Sequence, residues 1–183
     1  MERFFLQDAP VPAPATYSRS QIFLHWTIAG LVIFQLLVHD GMEDAWDDWT
    51  DGVISDAETS LLAYLHATVG VVILTLSIIR ILIRLKRGAP PLPENHSRLL
   101  KVIAGATHFL LYSFIILMPI TGALAWFGGI EDSADIHETG RLLLVPLILL
   151  HAAGGLAEHF VFRTNSLRRM LGMQPRRVDP NSN

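Results

Sequence analysis

The chain has no cysteine among its 183 residues. That absence excludes disulfides, thiolate-held iron–sulfur clusters, covalent c-type haem attachment and a cysteine nucleophile together. Charge is scarce as well. Asp, Glu, Lys and Arg make up 17% of the sequence, against roughly 25% in an ordinary soluble domain. The shortage is concentrated: Ser20–His39, Thr59–Ile79 and Val102–Ile130 contain no such residue, and Leu142–Ala157 is a fourth uncharged stretch. Internal repeats and a nucleotide-binding glycine loop are also missing, and no nucleic-acid partner is expected.

About half of the residues are hydrophobic, and about twenty apolar residues cross the ~30 Å hydrocarbon core of a bilayer. Three of the stretches reach that length directly. The fourth does so only by including Ile136–Arg141 or residues past Ala157. The expected fold class is an all-α membrane protein, a bundle of four transmembrane helices in one domain spanning residues 18–170. Residues 1–17 are Pro- and Ala-rich with no apolar core, which reads as a disordered lead-in and not as a cleavable signal peptide. Residues 171–183 read as a tail.

Charge sign orients the bundle. The segment Asp40–Glu58 carries Asp40, Glu43, Asp44, Asp47, Asp48, Asp51, Asp56 and Glu58 with no Lys or Arg. Gly128–Glu138 carries Glu131, Asp132, Asp135 and Glu138, again with no base. The opposite side collects Arg3 and Arg19; Arg80, Arg84, Lys86, Arg87, Arg98 and Lys101; then Arg163, Arg168, Arg169, Arg176 and Arg177. Lys and Arg near span ends stay cytoplasmic, so both termini and the middle loop are expected inside and the two acidic segments outside. Only Arg141 departs, one turn into the fourth span. This is a multi-pass topology with the two acidic segments on the side away from the cytoplasm. Pro90, Pro91 and Pro93 forbid continuation of the second helix. Pro119 and Pro146 fall inside spans, where neighbouring helices accommodate the lost hydrogen bond. Trp46 and Trp49, with Trp126, suit an aromatic belt at the outer interface.

Within this frame four histidines stand in apolar runs: His25, His66, His137 and His151. Such side chains are costly in hydrocarbon and are kept there mainly for function. Under the charge-derived topology they sort by depth, His25 with His151 towards the inside and His66 with His137 towards the outside. His137 and His151 share one helix, where fourteen residues give ~21 Å of rise and nearly the same facing direction. Two layers of two imidazoles make two bis-histidine sites, the ligation a non-covalent b-type haem uses. Two ligands per layer are too few for a closed structural zinc site. Glycines lie one turn from three of them, Gly70, Gly140 and Gly154, where a missing side chain lets a flat macrocycle approach.

Other polar residues fill supporting parts. His108, His159 and Glu158 stand near inner helix ends and are candidates to pass protons to a quinone, with an interfacial hydrogen-bonding role as the alternative. Arg19, Arg80 and Arg141 are placed to pair haem propionates through the guanidinium fork, while snorkelling to lipid phosphate competes for Arg80 and Arg84. His39 and His96 sit at a span end and in a loop and read as solvated.

Tyr17-Ser18-Arg19, Leu24-His25-Trp26, His66 with Gly70, and Arg80 with Arg84-Leu85-Lys86 resemble the bacterial cytochrome b-561 family. The resemblance continues through His108, Tyr112, Pro119 with Gly122, His137-Glu138, and Leu150-His151-Ala152-Ala153 ahead of His159, so that it covers nearly everything from Tyr17 to Met170. It implies a four-helix inner-membrane protein with two b haems whose iron ligands fall on His25, His66, His137 and His151. Members of that family include a superoxide oxidase, which passes electrons from external superoxide through both haems to ubiquinone. The resemblance therefore implies an oxidoreductase with ubiquinone as acceptor. A non-catalytic anchor subunit, passing electrons for a partner dehydrogenase, hydrogenase or cytochrome c, is the competing expectation.

The charge of the outer face bears on the donor. Clefts of one sign concentrate ligands of the other, and the outer segments hold twelve acidic groups with no base. That field disfavours an anion such as superoxide and favours a cationic periplasmic redox protein. Approach past Arg141 remains the route open to superoxide. Proton or ion transport without redox chemistry needs intramembrane carboxylates, and no span interior offers one.

Overall fold

The computed structural model describes Pro14, residues 16–91 and residues 96–173. Most of the expected lead-in, the tail from Gln174, Arg3, Pro93, Arg176 and Arg177 lie outside the described residues. Among the described residues there are six helices: α1 (Arg19–Leu37), α2 (His39–Thr50), α3 (Ala57–Arg87), α4 (Arg98–Gly128), α5 (Glu131–Phe160) and α6 (Ser166–Met170). Helices α1, α3, α4 and α5 are long and apolar enough to cross a membrane. They alternate in direction, so the acidic segments gather at one end of the bundle and the basic segments at the other.

Their boundaries follow from local chemistry. Ser18 opens α1 with a capping box, its hydroxyl accepting from the Gln21 N–H while the Gln21 side chain accepts from the Ser18 N–H. Asp56 opens α3, its carboxylate accepting the Thr59 N–H at 2.8 Å, and that bond holds its carboxyl below the ordinary range. Helix α3 ends at Gly88, whose φ of 72° is open to glycine and costly for other residues, just before Pro90 and Pro91. Gly129 closes α4 in the left-handed region with φ 63°.

Two differences from the sequence reading have plain causes. The acidic segment after the first span is a helix for most of its length. In α2, Met42, Ala45, Trp46 and Trp49 recur at helical spacing and form an apolar stripe, with the carboxylates on the remaining surface. Gly41 lets α2 settle against α3, because a Cβ there would lie 2.5 Å from Leu62 Cβ. The second acidic segment, expected as a loop to Glu138, is already helical from Glu131. Glu131 and Asp132 occupy the first turn of α5, where the helix dipole favours negative charge. This early start supplies the length that Leu142–Ala157 lacked.

Helix α3 is the hub, packing against α1, α2 and α4, and α4 packs along α5. The buried apolar set within the spans is small, chiefly Leu24, Ile28, Ala63, Ile73 and Ala125. Large side chains such as Phe23, Leu37, Phe109 and Leu149 face outward, as a lipid-bathed surface requires. What lies between the helices is mainly a cavity. At its basic end, the Gln21 amide donates to the Gly88 carbonyl at 2.9 Å and Arg80 donates to the Gln21 carbonyl at 2.7 Å, tying the start of α1 to the end of α3. The Trp26 indole donates to the Met170 carbonyl at 2.8 Å and fastens α6 beneath the same end.

Candidate functional site

The cavity has a volume of about 540 Å³ and runs between the two ends of the bundle. All four intramembrane histidines line it. His25 of α1 faces His151 of α5 with ring centres 6.1 Å apart, and His66 of α3 faces His137 of α5 at 6.2 Å. The rings in each pair are steeply inclined, at 76° and 72°. The structure thus brings together the rings grouped by depth in the sequence, one pair towards the basic end and one towards the acidic end.

These separations fit a metal held between two imidazoles. With bonds of ~2.0 Å to each nitrogen and roughly 1.1 Å from ring centre to nitrogen, ring centres fall about 6 Å apart. The surrounding wall is apolar, with Ile28, Val32, Ala67, Phe114, Leu144 and Ile148 among its residues, and suits the flat hydrocarbon body of a porphyrin. Arg80, Arg84 and Arg141 also reach the cavity. The Arg141 Nε is buried without a hydrogen-bond partner, which fits a site that takes a carboxylate. The donor set and its spacing therefore fit b-type haem.

The ligand candidates differ in how their second nitrogen is held. His137 Nδ1 donates to the Met118 carbonyl at 2.8 Å and lies 3.2 Å from Thr121 Oγ1, which leaves Nε2 for a metal. Such an outer hydrogen bond fixes tautomer and ring direction. His66 Nδ1 is buried with no partner, and Gln35, whose amide donates to the His66 carbonyl at 2.9 Å, leaves its own oxygen unpaired. Ser77, fully buried on the cavity wall, has an unpartnered hydroxyl.

The remaining candidates divide. His108 lines the cavity with its ring 5.2 Å from that of His151, and its Nδ1 donates to the Ala104 carbonyl at 2.6 Å. Arg141 lines the acidic half, one helical turn from His137, and Arg84 stacks over Tyr112 with its guanidinium 5.6 Å from the ring centre. Arg19 lies elsewhere, in a shallow groove with Ile22, Phe23, Trp26 and Thr27. Glu158 and His159 do not line the cavity. Glu158 accepts from Thr164 Oγ1 at 2.6 Å and pairs with His96 Nε2 at 2.6 Å. His159 Nδ1 is buried without a partner, beside the Phe160 ring.

Three features escaped the sequence reading. His96 is not solvated: its side chain is only 9% exposed because Glu158 and the Phe162 ring enclose it. His39 also lines the cavity, at the acidic end, with Nε2 3.2 Å from Glu43. Its position one residue into α2 turns it inward. Of the glycines, Gly70 does line the cavity, but Gly140 serves helix packing, since a Cβ there would lie 2.6 Å from Met118 Sδ. Gly154 faces open space. A different close approach occurs at Gly122, whose missing side chain leaves room for the His137 ring itself. The tryptophans combine two placements: Trp46 and Trp126 border the cavity mouth, and Trp49 leans on Trp46 and over Gly129.

The model of the prokaryotic cytochrome b561 family matches residues 16–173. The chain is similar to cytochrome b562 of Cereibacter sphaeroides, 35% identical over 87% of this chain and 96% of that protein. It is also similar to the probable superoxide oxidase CybB of Yersinia pestis, 30% identical over 85% of this chain and 95% of the relative. Cytochrome b561 homolog 1 of Escherichia coli is 25% identical over 88% of this chain and 98% of its own length.

Proposed function

Because the chain belongs to the prokaryotic cytochrome b561 family, we propose that it carries electrons across the bacterial inner membrane between two b-type haems, from a periplasmic donor to ubiquinone. Membrane electron transfer with b-type haem follows from the family. The count of two haems, the sidedness and the two substrates are the proposal. The observation that carries it is the duplication of one motif: two facing imidazole pairs at 6.1 and 6.2 Å in one cavity, one near each end of the bundle.

Haem b held between two imidazoles supplies reversible one-electron transfer. The chain does the rest. His25 with His151 and His66 with His137 set the two positions, and the apolar wall keeps water from them. Arg141 at the acidic end and Arg80 at the basic end offer guanidinium to carboxylate. Residues 18–170 form the functional domain, with both termini cytoplasmic by the distribution of Lys and Arg. Quinone reduction needs protons as well as electrons. His108 is the residue best placed to hold one, since Nδ1 is fixed on Ala104 and Nε2 is left to exchange beside His151. Glu158 and His159 lie off the cavity, so a part for them in proton uptake is confined to the cytoplasmic surface.

For the donor, the name of the Yersinia relative supports superoxide. A second reading is favoured by the mouth of the cavity, where the exposed Glu43, Asp47, Asp135 and Glu138 border it beside Trp46 and Trp126. Such a ring attracts a cationic redox protein, or docks the partner of an anchor subunit. A reduced-minus-oxidised spectrum of the purified protein, with iron counted per chain, tests the cofactor. The expected result is two low-spin b haems, and a colourless, iron-free protein from haem-supplied cells overturns it. Adding superoxide and a ubiquinone analogue to that sample tests the reaction; an isolated protein that reduces no quinone, and copurifies with a stoichiometric partner, supports the anchor reading.

A further inference from the structure

We propose that the turn of α4 from Met118 to Gly122 is a seat that orients His137 and sets the character of the acidic-end redox site. This inference rests on the di-haem reading above and adds positioning residues to it. Three contacts define the seat. The Met118 carbonyl accepts the His137 Nδ1–H at 2.8 Å, and Thr121 Oγ1 stands 3.2 Å from the same nitrogen. Gly122 provides the floor: a Cβ there would lie 2.9 Å from His137 Cε1 and 3.1 Å from Nδ1. The first distance is shorter than side-chain carbons adopt and the second is tighter than most of their contacts, so the ring presses on the volume in which any other residue's side chain would begin.

The seat is held from both sides. Ser133, buried in the first turn of α5, donates to the Thr121 carbonyl at 2.9 Å. One turn beyond His137, Gly140 brings the α5 backbone against Met118. Helix α5 is thus pinned to α4 on either side of the imidazole, and the ring has little freedom to turn. The opposite member of the pair, His66, has no such support at Nδ1. The pair is asymmetric, with one oriented imidazole and one left to its packing.

The chemical consequence runs through the hydrogen bond. An Nδ1–H bonded to a carbonyl makes Nε2 a more basic ligand, which favours the oxidised metal and lowers the site's potential. Displacing the ring from the seat weakens that bond and raises the potential.

Holoprotein carrying Gly122→Ala tests this, with Gly105→Ala as control, since a Cβ at Gly105 on the same helix meets nothing within 4 Å. Potentiometric titration and the ferric low-spin EPR signals are read for each site, with His66→Ala identifying the acidic-end signal. The expected outcome in Gly122→Ala is an altered EPR signal and a raised potential at the acidic-end site, or loss of that haem, while the basic-end site and the Gly105→Ala protein keep the parental values. Thr121→Val, which preserves side-chain shape, removes the second oxygen facing Nδ1 and shifts the same site in the same direction by less. Parental values at both sites in Gly122→Ala, or equal disturbance of both, overturn the seat. Should Gly122→Ala fail to fold, unchanged signals in Thr121→Val overturn it instead. A parental protein with a single haem overturns the two-site reading, and the dependence of that haem's signal on Gly122 still decides the seat.

Discussion

Replacing single histidines should remove one haem at a time, and the geometry states which. Helix α5 advances ~1.5 Å per residue, so the fourteen residues from His137 to His151 separate the two layers by ~21 Å. Within a layer the facing rings are only 6.1 or 6.2 Å apart. No imidazole of one layer can therefore reach across to rescue the other. His66→Ala or His137→Ala should halve the haem content to one per chain and leave the basic-end haem intact. His25→Ala or His151→Ala should halve it the other way. The basic-end test is the stricter one, because His108 lies 5.2 Å from His151 and offers a spare ring. Its Nδ1 is committed to Ala104, which holds it on its own helix, so His25→Ala should still lose its haem. Haem and iron per chain, with potentiometric titration to identify the surviving centre, provide the assay. If His25→Ala and His66→Ala lose the same haem, the pairing is refuted.

Further predictions concern the ends of the bundle. His96→Ala should destabilise the detergent-solubilised protein by about 2 kcal/mol, the worth of a charge-assisted hydrogen bond left unmade, read as a lower thermal midpoint. Its haem content should stay at the parental value, since neither His96 nor Glu158 lines the cavity. Reduction by a lysine-rich cytochrome should slow by roughly tenfold or more as salt rises to physiological strength, whereas reduction by superoxide should quicken; a salt-independent rate with the cytochrome removes the acidic mouth from the docking argument. The Asp56 cap should matter to acid stability. Its folded-state carboxyl is held below the ordinary range, so its contribution is complete above the unfolded value and is lost as pH falls through the lower folded value. Asp56→Asn should keep the cap and flatten that part of the unfolding profile.

The four spans and the two layers of histidine were legible because each depends on local counting: runs without charge, Lys and Arg at alternate ends, and residues fourteen apart on one helix. The resemblance around His25, His66, His137 and His151 pointed to the same residues. What stayed hidden is non-local. His96 finds Glu158 across 62 positions, and nothing near His96 in the chain announces a partner. Gly122 of α4 and His137 of α5 meet between two helices, whereas Gly140, one turn from His137 in the chain, faces Met118. Helix α2 was masked by its own charge. Its carboxylates suggest an open loop, and only the stripe of Met42, Ala45, Trp46 and Trp49 reveals that one side is packed.

The distance between the two pairs along α5 also gives the protein an electrical character. A separation of ~21 Å is about two-thirds of the ~30 Å insulating layer, and most of the voltage drop falls between the pairs. An elementary charge crossing the whole layer exchanges ~2.3 kcal/mol per 100 mV, so an electron passing between the pairs exchanges about 1.5 kcal/mol. In the proposed orientation, with the acidic end outside, an energised, inside-negative membrane would oppose inward flow by more than a factor of ten per 100 mV. On the proposed function, transfer in that direction would be electrogenic, and respiration by the host cell would act on it as a brake.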